Sequence, residues 1–266
     1  MNIVIFGGGS FLGSSFLNYL KINNEHSVLN ISSLKQKNAY SIENLTNLLS
    51  KYKPDVIIDY KFLDVGASDD FYKDLSYEYI FSPQLNLINV LEKLKINPKL
   101  FIISTNLIDR KTIKNNYIEL KKKHEDLYKS TKKLKNINIL RFDSILGYGD
   151  FNNNRLIPFF FKKISKNQFV EFKSSGEEHM KISLVNDLNI YLYEKLNNNS
   201  FFLESYKVMP FEIINYISDI LISKYSLKVK TSWDDKFVDD FSLDNKKLED
   251  QLEQITNSYL KKYNII

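Results

Sequence analysis

Residues 3 to 20, IVIFGGGSFLGSSFLNYL, run four apolar residues straight into a glycine cluster and out again into an apolar periodicity. The β-branched run from Asn2 to Phe6 reads as a buried strand. Gly7 to Gly13 read as a tight turn, and Phe11, Leu12, Phe16, Leu17 and Leu20 as the inward face of a helix. Further short apolar runs follow at 28 to 31, 56 to 59, 100 to 104 and 137 to 142, with amphipathic helix-length segments near 41 to 52, 76 to 95 and 116 to 135. Strands alternating with helices predict an α/β fold, a doubly wound parallel sheet covered on both faces.

After Gly147 the alternation weakens. FNNNRLIPFFFKKI is mixed, strands are expected near 168 to 172 and 181 to 185, and helices near 210 to 224 and 244 to 262. The expected organisation is a dinucleotide-binding domain over 1 to 150 and a smaller mixed C-terminal substrate lobe over 151 to 266, with residues near 180 to 195 packing back on the first. A chain of 266 residues suits one domain with a lobe attached.

Composition narrows the function classes. No apolar run is long enough to cross a bilayer, and no basic segment with an apolar stretch and cleavage site opens the chain, so a cytoplasmic protein is expected. Cysteine is absent, which excludes disulfides and thiolate metal sites. His26, His124 and His179 lack ligand spacing, so no metal is expected, and His179 reads as structural. The formal charge of +5 is spread along helical stretches such as Lys121 to Lys123, which reads as a solvated face rather than a nucleic-acid surface.

A helix amino terminus exposes N–H donors and a positive dipole end, and glycines let a diphosphate approach the backbone. The turn is therefore expected to hold a dinucleotide through Gly7, Gly9, Ser10, Phe11, Leu12 and Gly13. Ser10 replaces the middle glycine of a G-x-x-G-x-x-G pattern, and its hydroxyl could donate to a phosphate oxygen.

In YIELKKKHEDL, 117 to 127, Tyr117 and Lys121 fall one helical turn apart on one face, with Glu125 a turn further. An ammonium beside a phenol favours the phenolate, so such a pair suits acid/base work. With 17 tyrosines and abundant lysine, the match alone also fits an exposed helix face. Just upstream, the apolar strand ends in Ser104-Thr105-Asn106, placing hydroxyls at a strand's carboxyl end.

These motifs resemble the extended short-chain dehydrogenase/reductases that act on nucleotide sugars, the NAD-dependent epimerase/dehydratase family with its Rossmann-type sheet. GGGSFLG is similar to the family's GGSGFLG, PDVIID at 54 to 59 to its fourth strand, and NVLEKL at 89 to 94 to its Asn-Leu-Leu-Glu-Ala helix. Asp59-Tyr60-Lys61-Phe62 stands where the family has His-Leu-Ala-Ala. LRFDSILGYGD, RLIPFFFKKI, SSGEEHMKISLVNDL and DNKKLEDQL carry the resemblance to nearly the whole chain, closest to abequose synthase-like 4-reductases.

The resemblance implies a triad of Thr105 as the catalytic hydroxyl, Tyr117 as the acid/base and Lys121 as the residue that lowers the tyrosine pKa and holds the nicotinamide ribose, making Tyr117 and Lys121 cofactor contacts as well. Only eleven residues separate Thr105 from Tyr117, fewer than the family's usual connection, and Ser104 is the alternative hydroxyl. Family dehydratases follow the threonine with Asp-Glu; Asn106 and Leu107 here argue against dehydration and leave Asn106 as a substrate contact.

NAD enzymes usually place a carboxylate at the end of the second strand. Ser32, Ser33 and Lys35 or Lys37 stand there instead, which favours NADP(H) over NAD(H). The expected activity is NADPH-dependent reduction of the 4-keto group of a nucleotide-linked 6-deoxy or dideoxy sugar for surface glycan precursors. A 4-epimerase with retained NAD and a catalytically silent nucleotide-binding protein are the alternatives. Arg155 and Lys181 are candidates for the substrate diphosphate, since Met180 replaces the family's arginine; ordinary surface charge is the competing reading. The family's helix pairing implies a homodimer.

Overall fold

The computed structural model describes residues 1–23, 25–33, 38–62, 77–110, 116–131, 133–152, 155–233 and 245–265. The chain divides into two compact units, Met1–Asp143 with Asn189–Phe201, and Ser144–Leu188 with Phe202–Ile266.

The first unit holds strands β1 (Asn2–Phe6), β2 (Ser27–Ile31), β3 (Val56–Asp59), β4 (Lys99–Thr105) and β5 (Ile137–Phe142). They form one sheet in the order β2-β1-β3-β4-β5, parallel throughout. Ile3, Val4, Ile5 and Phe6 are all 0% exposed. A strand covered on both faces needs apolar residues at every position, which is why β1, β3 and β4 are continuous apolar runs. Around the sheet lie α1 (Phe11–Asn23), α2 (Ile42–Tyr52), α3 (Tyr77–Leu94) and α4 (Asn116–Lys129).

α4 stops at Lys129, short of the predicted end at 135. Ser130 and Thr131 turn their hydroxyls onto the Leu127 carbonyl, and such local bonds compete with helix continuation. β1 lies between β2 and β3, so the crossovers leave it in opposite directions and open a crevice at the strands' carboxyl ends. The glycine turn follows β1 there, and Tyr60-Lys61-Phe62 follow β3.

The second unit contains β6 (Ser144–Leu146), α5 (Leu156–Ile164), β7 (Val170–Phe172), β8 (Met180–Leu184), β9 (Tyr206–Val208), α7 (Pro210–Tyr225), β10 (Thr231–Trp233) and α8 (Lys246–Lys262). β8 pairs with β6 in parallel and with β9 in antiparallel fashion, and β7 pairs with β10 in parallel. Its core gathers Phe160, Phe161, Ile214, Leu252 and Leu260, with Phe161 stacked on Tyr259 at 4.7 Å. Helix α6 (Val185–Leu196) begins in this unit and ends in the first. Among the described residues no helix is long and apolar enough to cross a membrane.

Candidate active site

The turn after β1 is built from backbone. Gly7 takes φ +88°, open to glycine and strained for other residues, and a Cβ there would stand 2.6 Å from the Lys61 nitrogen. At Gly13 a Cβ would meet the Gly7 carbonyl oxygen at 2.8 Å, so the helix starts hard against the turn. The Ser10 nitrogen donates to the Gly7 oxygen at 3.0 Å, and the Ser10 Oγ accepts from the Gly13 N–H at 3.2 Å. The serine thus caps α1 and keeps its own hydroxyl proton as a donor. Gly9 and Ser10 are exposed and Phe11 and Leu12 half-buried, which leaves the first turn of N–H groups accessible. This backbone cradle fits a dinucleotide diphosphate.

At the end of β2, Ser32 is buried and Ser33 exposed, and the Tyr40 hydroxyl bonds Ser33. No carboxylate stands among Asn30, Ile31, Ser32 and Ser33. Lys35 and Lys37 lie outside the described residues.

β4 carries Ser104 and Thr105 to its carboxyl end, where they separate in role. The Thr105 Oγ1 caps a short 3-10 turn, Asn106–Asp109, by accepting from the Leu107 N–H at 3.3 Å, and retains its proton to donate. Ser104 donates its proton to Glu125 Oε1 at 2.7 Å. Asn106 opens the 3-10 turn and is half-buried.

On α4, Lys121 is 7% exposed; its Nζ donates to the Ile103 carbonyl at 3.4 Å and lies 6.0 Å from the Tyr117 ring centre and 3.9 Å from that of Phe62. Tyr117 is half-buried, edge-on to Phe62, and packs against Ile80, Phe81 and Leu120. The first unit therefore brings the tyrosine and lysine together on the helix beside the strand that ends in Thr105.

Two polar clusters flank this pair. Glu125, 1% exposed, accepts from Ser104, from Arg141 through both Nε (2.8 Å) and Nη2 (2.6 Å), and from Lys129 at 3.0 Å. Burial pushes its carboxyl up, but the Arg141, Ser104 and Lys129 bonds outweigh that and hold it at about 2. Arg141 also grips Asp109 at 2.8 and 2.9 Å, tying the 3-10 turn to β5.

The second cluster centres on Asp59. Its Oδ2 accepts from the Tyr128 hydroxyl at 2.7 Å and contacts His124 Nε2 at 3.2 Å, while Oδ1 accepts from the Lys61 N–H at 2.7 Å. Burial holds the His124 pKa below its ordinary value despite Asp59, and the neutral ring stacks on Phe81. Among the described residues, His124 Nδ1 has no hydrogen-bond partner.

Arg155 and Lys181 belong to the second unit. Arg155 precedes α5 and pairs with Asp150 at 3.1 Å. Lys181 is exposed on β8, directly across from Lys207 on β9. Like charges in that register repel, and Lys207 is a basic residue that the sequence pattern alone did not single out.

No family model and no curated protein matches the sequence. Solved structures do. A UDP-glucose-4-epimerase from Stenotrophomonas maltophila with bound NAD and formylated UDP-arabinopyranose superposes with TM-score 0.74 at 14% identity, over 100% of both chains. RMD from Pseudomonas aeruginosa complexed with NADPH gives 0.72 at 15%, over 98% of each chain. The capsular polysaccharide assembling protein CapF of Staphylococcus aureus gives 0.72 at 19%, over 97% of this chain, which spans 66% of CapF. The parallel sheet, its glycine turn and these superpositions together give the chain the same Rossmann-type fold as these structures.

Proposed function

We propose that the protein is a nicotinamide-dependent enzyme acting on a nucleotide sugar, and specifically a reductase of a 4-keto-6-deoxy or dideoxy sugar. The observation that carries this reading is the buried Lys121 ammonium one helical turn from Tyr117, beside the strand end that offers Thr105. NADPH, when bound, supplies the hydride that adds to the carbonyl carbon. Tyr117 gives its phenolic proton to the carbonyl oxygen as the carbon–oxygen double bond becomes a C–O–H single bond. Thr105 donates to the same oxygen and orients it, a role Ser104 is poorly placed to share because its proton goes to Glu125. Lys121 favours the phenolate left behind and contacts the nicotinamide ribose.

In the second unit, Arg155 and Lys181 are assigned to the substrate diphosphate, with Lys207 beside Lys181 on the same face. A dianion there would relieve the lysine repulsion. The same reading gives the dinucleotide to a domain over 1 to 150 and the substrate mainly to a lobe over 151 to 266. A homodimer through α3 and α4 belongs to the same reading; it would be a polar interface, since Asn89, Lys93, Glu119, Lys122 and Lys123 are exposed. Light scattering giving a monomer would remove it.

The test follows reduced-nicotinamide absorbance with NADPH and with NADH across dTDP-, GDP-, CDP- and UDP-linked 4-keto-6-deoxy sugars. Oxidation is expected with one sugar nucleotide, and Tyr117→Phe is expected to lower kcat at least about 100-fold. A 4-epimerase is the second reading, favoured by the 4-epimerase superposition. Sugar interconversion without net cofactor oxidation would select it, and cofactor binding without either reaction would select a silent nucleotide-binding protein.

A further inference from the structure

Lys61 stands where the resembling family has alanine, and its backbone is fixed on both sides. Its N–H donates to Asp59, its carbonyl accepts from Gln84, and its nitrogen abuts Gly7 of the turn. Its Nζ lies 5.4 Å from the centre of the Tyr40 ring. Tyr40 packs edge-on to Phe6 at the end of β1 and bonds Ser33 after β2. The residue therefore spans from the glycine turn, at its backbone, to Tyr40, which bonds Ser33 after β2, at its ammonium.

This charge is half-buried, and burial pushes its pKa down, with Asp59 acting in the opposite sense. Among the described residues no carboxylate forms an ion pair with it, and Asp59 is taken up by Tyr128, His124 and the Lys61 N–H. A partly desolvated ammonium with no ion pair among the described residues favours an anionic guest. In this fold the diphosphate is met by backbone N–H groups at α1, whereas the adenosine ribose lies at the end of β2. There the described residues offer hydroxyls and no acid.

We infer that Lys61 binds the 2′-phosphate of a nicotinamide dinucleotide and so selects NADP(H) over NAD(H). The inference rests on the reading that the glycine turn holds such a cofactor.

Isothermal titration of the full chain, without sugar substrate, tests it with four probes: NADPH, NADH, adenosine 2′,5′-bisphosphate and 5′-AMP. The wild type is expected to bind NADPH at least about tenfold tighter than NADH. Lys61→Met is expected to weaken NADPH and the bisphosphate by about tenfold or more, with NADH and 5′-AMP within about twofold, and Lys61→Arg to retain most of the preference. Lys61→Gln serves where the Met variant loses its fold, as judged by circular dichroism. A parallel loss for both cofactors would assign Lys61 to the diphosphate and overturn the inference, as would an unchanged ratio. Both of these leave the nicotinamide reading standing. A wild type that binds neither cofactor defeats that reading itself.

Discussion

The two polar clusters flanking Lys121 solve one problem, a buried carboxylate, in opposite ways. Glu125 is met by cations: both its oxygens accept from Arg141, with Ser104 and Lys129 completing the set. Asp59 is met mainly by neutral donors, the Tyr128 hydroxyl, a histidine kept neutral and a backbone N–H, and His124 keeps a nitrogen without a partner among the described residues. The first arrangement clamps β4, β5, α4 and the 3-10 turn together. The second surrounds its carboxyl with hydrogen-bond donors and leaves a basic neighbour, Lys61, without an ion pair among the described residues. Rigidity sits beside Thr105, and unmet polarity sits beside the glycine turn.

The largest expected effect comes from breaking the clamp. Glu125→Ala leaves the Arg141 guanidinium and the Ser104 hydroxyl without their buried acceptor, and should cost about 3–5 kcal/mol of unfolding free energy in urea titration. A loss below about 1 kcal/mol would mean that the cluster is not a clamp. Acid should separate the two clusters next. His124, faced by Asp59, Tyr128, Lys121 and Glu125, has a lowered folded pKa, so the unfolded chain takes up a proton first and stability falls as pH drops below about 6.5. Glu125, also lowered, contributes stability above its unfolded value of about 4.3 that is lost as pH falls toward its folded value of about 2. Urea midpoints measured from pH 8 to 3 should show both limbs in the wild type and lose the upper one in His124→Asn. A wild type flat down to pH 5 would contradict the neutral-histidine account. Asp109→Asn should do least, under about 1 kcal/mol, because that carboxylate is exposed and Arg141 keeps Glu125. A drop matching Glu125→Ala would move the centre of the clamp to the 3-10 turn.

How much of this was readable in the amino-acid order depended on how local each feature is. β1, β3 and β4 announce themselves because a doubly covered strand is apolar through its centre, and the crossover helices have length enough to show a period. β6, β9 and β10 span three residues each, too few to carry one. Helix α6 follows β8 directly, with no turn residue between Leu184 and Val185 to mark where the strand ends and the helix starts. At the site, Tyr117 and Lys121 were legible because one helix turn joins them. The difference between Ser104 and Thr105 was not, since it is set by Glu125, 21 residues from Ser104, and by a turn that begins after the strand. Lys61 was visible only as a departure from a pattern; its meaning needed Gly7 and Tyr40 beside it.

Ser10 gives the glycine turn a thermodynamic character of its own. A glycine at that position would let the segment wander over conformations closed to other residues, and a guest would have to freeze them. A serine locked onto the Gly13 N–H has already surrendered that freedom during folding. Arrival of a ligand should therefore cost the turn little further entropy.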